Sequence, residues 1–343
     1  MSPMPGHANR TARTVGAVLL VSLGAGIGGS SCIRPPTPRS GVSPAVVETV
    51  DGEVDAAATA AVASVLGFAA PTSVLHDAAL RAWYVADRAP ALGTTGASGS
   101  VARMSDDPRG TGLVARLVDG ARSGVTLRAP AGMALVGDTL WVADVDVLRG
   151  FDRRTGRSVA AVGLAPLGAA SLGDVAVGPD GALYVGESGP RDVAGRTAAP
   201  RTSGRVYRVG PGRRASVALS DARLADGSRI AWDSRGGRLV LAPAAGDTLL
   251  AWRPGESDAR PLLAGPGSYR GVVATPEGRL LVASDATASV YELRDGRLVA
   301  VLRGLDSVSD LAFDATNGWL AIATPARGRV AFYAVPRGDA PRP

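Results

Sequence analysis

The chain carries very few of the side chains that act as nucleophiles, general bases or zinc ligands. Cysteine occurs once, at Cys32, and the two histidines are His7 and His76. A Ser-His-Asp triad, a Cys-His pair and a zinc site of Cys and His ligands each need partners that this inventory lacks. A disulfide within the chain is excluded as well. His76 lies in the apolar stretch SVLHD, so we expect a packed core residue rather than a catalytic base.

The remaining reactive groups are carboxylates and arginines that recur at the ends of apolar stretches. They are Asp87, Asp144, Asp146, Asp174, Glu187, Arg229, Arg270, Asp285 and Asp310. Brought together by a fold, such groups could bind a small polar ligand or a protein partner. Alternatively, they could form ion pairs with one another and hydrogen bonds with exposed loop amides, as charged residues at strand ends often do.

These residues belong to an internal repeat of about forty to fifty residues. Each unit has an apolar strand, a tight polar turn and a second strand that begins with an aromatic residue or Leu. The six segments are SVLHDAALRAWYVAD (73–87), GMALVGDTLWVAD (132–144), DVAVGPDGALYVGE (174–187), RIAWDSRGGRLVLA (229–242), GVVATPEGRLLVAS (271–284) and DLAFDATNGWLAIA (310–323). We align the second strands at Val85, Val142, Val185, Val240, Val282 and Ala321. A repeat of this length indicates an array of identical supersecondary units.

Each unit continues into a third and usually a fourth strand, which predicts the antiparallel blades of an all-β, six-bladed propeller. The sixth unit ends after three strands (308–313, 318–323, 328–334). We expect residues 59–68, TAAVASVLGF, to supply its fourth strand and close the ring, because closure removes the open sheet edges. The recurring aromatic residues should pack between blades; they are Tyr84, Trp141, Tyr184, Trp232 and Trp319. Insertions at 88–100 and 188–203 should enlarge the loop face that carries the charged ring.

The repeat resembles the senescence-marker-protein and gluconolactonase-like propellers, which are related to NHL-like repeats. The motifs that carry the resemblance are PTSVLHD, GMALVGDTLWVAD, DVAVGPDGALYVGE, RIAWD, GDTLLAWRP and GVVATPEGRLLVAS, between about residues 59 and 336. The resemblance implies a divalent cation such as calcium in the central channel, where it would polarise a lactone carbonyl or activate water. At the family's ligand positions this chain has Thr72, Gly173, Ser228 and Arg270.

These four residues replace carboxylates and amides, and one introduces a positive charge. We therefore expect no catalytic residues, no metal and no cofactor, and a propeller that binds a protein or a small polar ligand without catalysis. The candidate ligand-binding residues at the channel mouth are Asp87, Asp144, Asp174, Glu187, Arg229, Arg270 and Asp310. The alternative is a metal-dependent lactonase or esterase with a rearranged site that uses Asp174, Asp310 or Glu187.

The N-terminus has the three parts of an export signal. Residues 1–31 contain no acid, carry Arg10 and Arg13, and then run apolar and small up to Cys32. The small residues before the cysteine resemble a bacterial lipoprotein signal, in which the cysteine is acylated and becomes the mature N-terminus, although Gly29 stands where Leu is usual. The alternative is a secreted protein without an anchor. Two or more acyl chains on Cys32 would hold the domain to a membrane.

The chain is thus divided into a signal peptide (1–31), a proline-rich anchored tether (32–58), the propeller (59–336) and a short tail (337–343). We expect an exported bacterial lipoprotein on the cell membrane or outer membrane, acting at the cell envelope. The net charge is +6, and all 37 basic residues are arginine. Because 31 acids are scattered among them without a basic run, we expect no nucleic-acid partner.

Overall fold

A computed structural model of the chain shows a ring of antiparallel four-stranded sheets. The structure describes residues 42–44, 47–49, 60–88, 99–110, 113–122, 124–189, 192–193, 196–197 and 202–335. Strands account for most of these residues, and the helices among them are single 3₁₀ turns at Ala165–Leu167, Ala222–Leu224 and Pro325–Arg327. In this part of the chain no helix is long and apolar enough to cross a membrane.

The strands follow one another in six sets. Three short strands come first: β1 (Val42–Pro44), β2 (Val47–Thr49) and β3 (Ala63–Leu66). Blade 1 contains β4 (Pro71–Asp77), β5 (Ala82–Asp87), β6 (Ser100–Ser105) and β7 (Leu113–Asp119). Blade 2 contains β8 (Pro130–Val136), β9 (Thr139–Asp144), β10 (Val147–Asp152) and β11 (Ser158–Gly163). Blade 3 contains β12 (Leu172–Val177), β13 (Leu183–Glu187), the hairpin β14 (Asp192–Val193) and β15 (Arg196–Thr197), then β16 (Gly204–Val209) and β17 (Ala215–Asp221).

The second half of the ring repeats this arrangement. Blade 4 contains β18 (Ser228–Asp233), β19 (Arg238–Pro243), β20 (Thr248–Trp252) and β21 (Arg260–Ala264). Blade 5 contains β22 (Tyr269–Ala274), β23 (Leu280–Ser284), β24 (Ser289–Arg294) and β25 (Arg297–Arg303). Blade 6 contains β26 (Asp310–Asp314), β27 (Trp319–Thr324) and β28 (Arg329–Ala334), to which β3 is added. The predicted six-bladed propeller is therefore confirmed.

The ring closes at the seam that the sequence predicts. Strand β3 pairs antiparallel with β28, with Val65 opposite Val330 and Ala63 opposite Phe332. Two backbone hydrogen bonds extend the pairing, from Val62 N to the Phe332 oxygen (2.8 Å) and from Phe68 N to the Gly328 oxygen (3.1 Å). The last blade thus takes its outer strand from the beginning of the domain, which leaves no unpaired edge at the seam.

Two further strands lie in the segment that we expected to be only a tether. Strand β1 pairs with β7 at the outer edge of blade 1, and β2 pairs with β3 at the outer edge of blade 6. Both partners are outermost strands, whose free backbone N–H and C=O groups can accept another strand. These pairings lengthen the contact between the start of the domain and the first and last blades.

The hydrophobic core consists of one cluster of buried side chains between each pair of adjacent blades. Successive side chains of a strand point to opposite faces, so each second strand serves two of these clusters. The aromatic residues lie in these clusters, as predicted: Tyr84 packs between blades 1 and 2, and Tyr184 between blades 3 and 4, where it stacks on Trp232.

The sequence alignment of the second strands is one residue out of register in blades 4 and 6. Val85 packs toward the preceding blade, whereas Val240 and Ala321 pack toward the following one. The residues equivalent to Val85 are Leu241 and Ile322. A shift of one residue moves a side chain to the other face of its sheet, and uniformly apolar strands give no sequence signal that fixes the register.

Candidate functional site: the channel mouth

The innermost strands of the six blades contact one another around the central channel. With the corrected register, each carries one residue at an equivalent position just before the side chain that packs toward the preceding blade. In blade order these residues are Ser73, Gly132, Asp174, Arg229, Gly271 and Asp310. We call this set the channel ring. Residues three blades apart match: two glycines, two aspartates, and the unequal pair Ser73 and Arg229.

Asp174 and Asp310 form two equivalent clamps between blades. In blade 3, Asp174 accepts hydrogen bonds from its neighbour Val175 N (2.9 Å) and from Ile230 N of blade 4 (3.1 Å). In blade 6, Asp310 accepts from Leu311 N (2.8 Å) and from Val74 N of blade 1 (3.3 Å).

Each carboxylate therefore uses one oxygen on its own strand and the other on the next blade. The Ser73 hydroxyl adds a further hydrogen bond to Asp310. Because both oxygens of each group bind backbone N–H groups, the clamps join innermost strands around the channel.

Burial shifts the protonation of this pair. Asp174 and Asp310 are 6% and 5% exposed. The pKa of Asp174 is raised to about 7, first by burial and then by the charge of Asp310, while Arg229 acts in the opposite direction. Burial also raises the pKa of Asp310, again against the charge of Arg229. Near neutral pH the pair therefore holds less than two full negative charges.

The channel is narrow at this level. A Cβ atom on Gly132 would lie 2.8 Å from Asp174 Oδ1 and 2.5 Å from its Cα. Any side chain on this residue of blade 2 would displace Asp174 and disturb its clamp with blade 4. Glycine at this ring position is thus required by close approach of backbone to side chain.

Arg229 lies beside the clamps without joining them. It is partly buried, and within the described ranges its guanidinium makes no hydrogen bond or ion pair. A second guanidinium lies nearby: burial and the charge of Arg229 together lower the pKa of Arg88. The Arg88 Nε is buried and has no hydrogen-bond partner in the part of the chain that the structure describes. Within the described residues neither arginine makes a direct ion pair with a carboxylate.

A pocket of about 270 Å³, including space open to solvent, lies next to Arg229 at the starts of blades 3, 4 and 5. Its lining is formed by Gly173, Ser188, Gly227, Ser228, Arg229, Ala244, Tyr269 and Arg270. We call it the blade 4 pocket. Arg270 donates from Nε to Asp285 Oδ2 (2.9 Å) at a partly exposed site, which leaves its terminal nitrogens available. Among the described residues the lining includes two arginines and no acidic residue.

The acids at the ends of second strands have a different role from the channel ring. Asp87 accepts from Ala69 N (3.0 Å) and Ala70 N (2.7 Å), which fixes the loop that leads into blade 1. Burial raises the pKa of Asp87 against these hydrogen bonds. Asp144 does the same for the loop into blade 2 through Arg128 N and Ala129 N, and also pairs with Arg149 Nε at 2.6 Å.

Glu187 is engaged within its own blade, and Asp146 and Asp285 lie at the surface of the loops. Glu187 accepts from Arg205 N (3.0 Å) and from the Tyr207 hydroxyl (2.8 Å). Asp146 is partly buried in the turn after β9, and Asp285 accepts from Val308 N (3.3 Å). Of the predicted mouth residues, the structure thus brings together Asp174, Arg229, Arg270 and Asp310, while Asp87, Asp144 and Glu187 hold loops and strands.

The residues at the mouth do not fit the divalent cation that the fold family implies. Both oxygens of Asp174 and of Asp310 are directed at backbone N–H groups, and Arg229 supplies a positive charge beside them. Three of the substituted ligand positions, Gly173, Ser228 and Arg270, line the blade 4 pocket.

The fourth substituted position, Thr72, donates from Oγ1 to the Pro130 oxygen (2.8 Å). Among the described residues no group of three or more His, Cys, Asp or Glu side chains could hold a metal ion.

His76 lies in the core near the other end of the channel, as expected. Its ring packs on Trp83 at 4.5 Å between centroids, and Nε2 lies 3.7 Å from Asp314 Oδ2. Burial lowers the pKa of His76 despite the nearby charge of Asp314. Cys32 and most of the insertions at 88–100 and 188–203 lie outside the described residues.

Comparisons with solved structures place this architecture among gluconolactonase-like propellers. A gluconolactonase from Xanthomonas campestris matches with a TM-score of 0.59 and 19% identity, over 86% of this chain and 98% of that chain. A luciferin-regenerating enzyme matches with a TM-score of 0.57 and 14% identity, over 84% and 94%.

A Bacteroides thetaiotaomicron protein of unknown function matches with a TM-score of 0.59 and 13% identity, over 84% of this chain and 76% of that chain. No protein-family profile and no curated protein matches the sequence. At these identities the likeness establishes the fold alone: this chain has the six-bladed propeller fold that these proteins share.

Arg88 was not among the residues selected from the sequence. It follows Asp87 at the end of β5, where a loop insertion begins, so its type and position gave no reason to expect it at the channel mouth. Ser73 begins the first repeat segment as Arg229 begins the fourth, but an uncharged serine gave no reason to select it as a site residue.

Proposed function

We propose that this chain is an exported, lipid-anchored propeller that binds a small polar ligand or a protein at its channel mouth without catalysing a reaction. The observation that supports the proposal is the hydrogen bonding of Asp174 and Asp310, the two aspartates of the channel ring. Their oxygens are used to join blades, and Arg229 places a positive charge beside them, where a metal would need additional oxygen ligands. A mouth of this composition suits ligand binding better than Lewis-acid chemistry.

One observation favours the alternative, a lactonase-like hydrolase. A carboxyl group whose pKa is about 7, such as Asp174, is suited to general base catalysis. The solved structures that share the fold include a gluconolactonase. The clamp geometry argues against this function, because a base that accepts two backbone hydrogen bonds has little access to a substrate proton.

Calorimetric titration with calcium, manganese and zinc, followed by a lactone hydrolysis screen, separates the two functions. We expect no stoichiometric metal binding and no turnover above buffer. Tight binding of one metal together with turnover that is lost in Asp174→Ala would contradict the proposal. Asp258→Ala, which removes an exposed carboxylate away from the channel, is the control.

The anchor is tested by fractionating cells that express the full chain. Cys32→Ser should move the protein from the membrane to the soluble exported fraction, because the acyl chains have no other attachment site. Ser31→Ala, which keeps a small residue before the cysteine, should stay on the membrane. An unchanged distribution of Cys32→Ser would show that the protein is secreted without a lipid anchor.

A further inference from the structure

Closure of the ring does not require an arginine at position 229. The equivalent clamp in the other half of the ring, Asp310 with Val74, forms with Ser73 at the position of Arg229. A hydroxyl that bonds to the carboxylate is therefore sufficient at this position. Arg229 instead places a partly buried charge there that makes no hydrogen bond or ion pair within the described residues. Arg229 favours the charged forms of Asp174 and Asp310, but its own N–H donors have no acceptor within the described residues, which favours an acceptor supplied from outside the chain.

The surroundings of Arg229 favour an anion as that partner. Arg270 and Ser228 line the blade 4 pocket together with Arg229, and none of the described lining residues carries a carboxylate. Tyr269 donates its hydroxyl to the Asp247 oxygen (2.9 Å), so its ring forms a fixed wall. The position equivalent to Arg270 in the other half of the ring is Ala131, so both cations of the pocket are specific to this side.

Arg88 increases the positive potential at the same place. The pKa of Arg88 is lowered first by burial and then by the charge of Arg229, while the charge of Asp144 acts in the opposite direction. The two nearby carboxylates are held by backbone N–H groups instead of these arginines. Partly desolvated arginines that make no direct ion pair within the described residues form a site that an oxyanion would neutralise.

We infer that the blade 4 pocket binds a small molecule through an oxyanion group, a carboxylate or a phosphate, held by Arg229 and Arg270. Planar guanidinium groups match both kinds of oxyanion through paired N–H donors. The inference rests on the proposed binding function, since it names the chemical class of ligand at the same mouth. The rest of the ligand would extend from the pocket into the open channel mouth.

Isothermal titration of the purified propeller with inorganic phosphate and with acetate, at constant ionic strength in chloride, tests the inference. We expect at least one of the two anions to bind with a stoichiometry of one, and the preferred anion indicates which oxyanion the pocket takes. Arg229→Gln should weaken that binding at least tenfold, and Arg270→Gln should weaken it by a smaller factor.

Arg297→Gln is the matched control, because it removes one exposed arginine from the β24–β25 turn at the opposite end of the propeller. It should bind like the parent. A thermal melt of each variant shows whether it is folded. If Arg229→Gln does not fold, Arg270→Gln alone tests the inference.

The inference is overturned if neither anion binds the folded parent, or if folded Arg229→Gln and Arg270→Gln both bind as the parent does. Those results would not contradict the proposed binding function. That function is contradicted instead if the metal and lactone measurements show turnover.

Discussion

The two halves of the channel ring join neighbouring blades in the same way but differ in one residue. In both halves an aspartate on one innermost strand accepts a backbone hydrogen bond from the next, at Val74 in blade 1 and Ile230 in blade 4. In the first half Ser73 completes this arrangement with a hydroxyl, whereas in the second half Arg229 introduces a charge. Because blade closure succeeds without the charge, the comparison separates the residues that build the ring from those available for binding.

The largest effect is expected from a deletion that prevents closure of the ring on which this comparison depends. Deleting residues 55–70 takes away β3, the outer strand of blade 6, and exposes the edge of β28. Without closure the first and last blades each lose a neighbour and the shared core cluster is opened to water. We expect no soluble folded protein, judged by circular dichroism and gel filtration. A deletion variant that folds and melts like the parent would contradict the closure of the ring.

The next effect tests whether the two clamps are equivalent. Asp174→Ala and Asp310→Ala each leave two backbone N–H groups at the channel without an acceptor. At about 1–3 kcal/mol for each buried unsatisfied group, either variant should lower the free energy of unfolding by about 2 kcal/mol or more. Arg229→Gln should change it by less than about 1 kcal/mol, since no hydrogen bond within the described residues is lost. Urea unfolding at constant pH measures all three.

Asp258→Ala is the control for this series and should unfold like the parent. A loss of stability confined to one of the two clamp variants would show that the halves are not equivalent. A loss in Arg229→Gln as large as in the clamp variants would assign Arg229 to the structure of the ring and remove the reason for a ligand there.

A smaller effect is the pH dependence of stability. The pKa of Asp174 is about 7 in the folded protein and 3.8 in the reference state, so the folded chain holds this proton more tightly than the unfolded chain. The free energy of unfolding should therefore fall as pH rises from about 4 to about 7 and then level off. Asp174→Asn does not titrate, and its slope in this window should be shallower than that of the parent.

Groups away from the channel contribute equally to parent and variant, whereas Asp310 interacts with Asp174, so the difference between the slopes reports on this pair. Asp87 and Asp310 have raised pKa values and act in the same direction as Asp174. His76 has a lowered pKa and acts in the opposite direction below about pH 6.5. Identical slopes for parent and Asp174→Asn between pH 4 and 7 would show that Asp174 is ionised throughout.

Much of the fold could be predicted from the sequence because the repeat carries it. The polar turns and second strands mark six blades, and the missing fourth strand after residue 334 points to β3. Register was the weak point: in β19 and β27 nearly every residue is apolar, so Val240 and Leu241 are indistinguishable until the sheets are packed. The site lies on the innermost strands, which the repeat aligns correctly, because the six segments begin at the channel ring. Asp174, Arg229 and Asp310 were candidates because they are charged, whereas Ser73 is uncharged and Arg88 lies beyond the first segment.

The second-strand acids show the other limit of sequence reasoning. Asp87 and Asp144 have the same residue types and strand positions as a ligand site would need. Only their contacts reveal that backbone N–H groups of the preceding loops occupy them. An acid that fixes a loop and an acid that binds a ligand are alike in sequence, because the difference lies in which donor reaches the carboxylate.

The central claim is that the channel mouth of this propeller binds an oxyanion at Arg229 and no metal at Asp174 and Asp310. Crystals grown in the presence of manganese and phosphate test it most directly, since manganese is located by its anomalous scattering. We predict tetrahedral density against the Arg229 guanidinium and no anomalous peak within coordination distance of either carboxylate. A manganese ion bound to Asp174 or Asp310, with no anion at Arg229, would contradict the account.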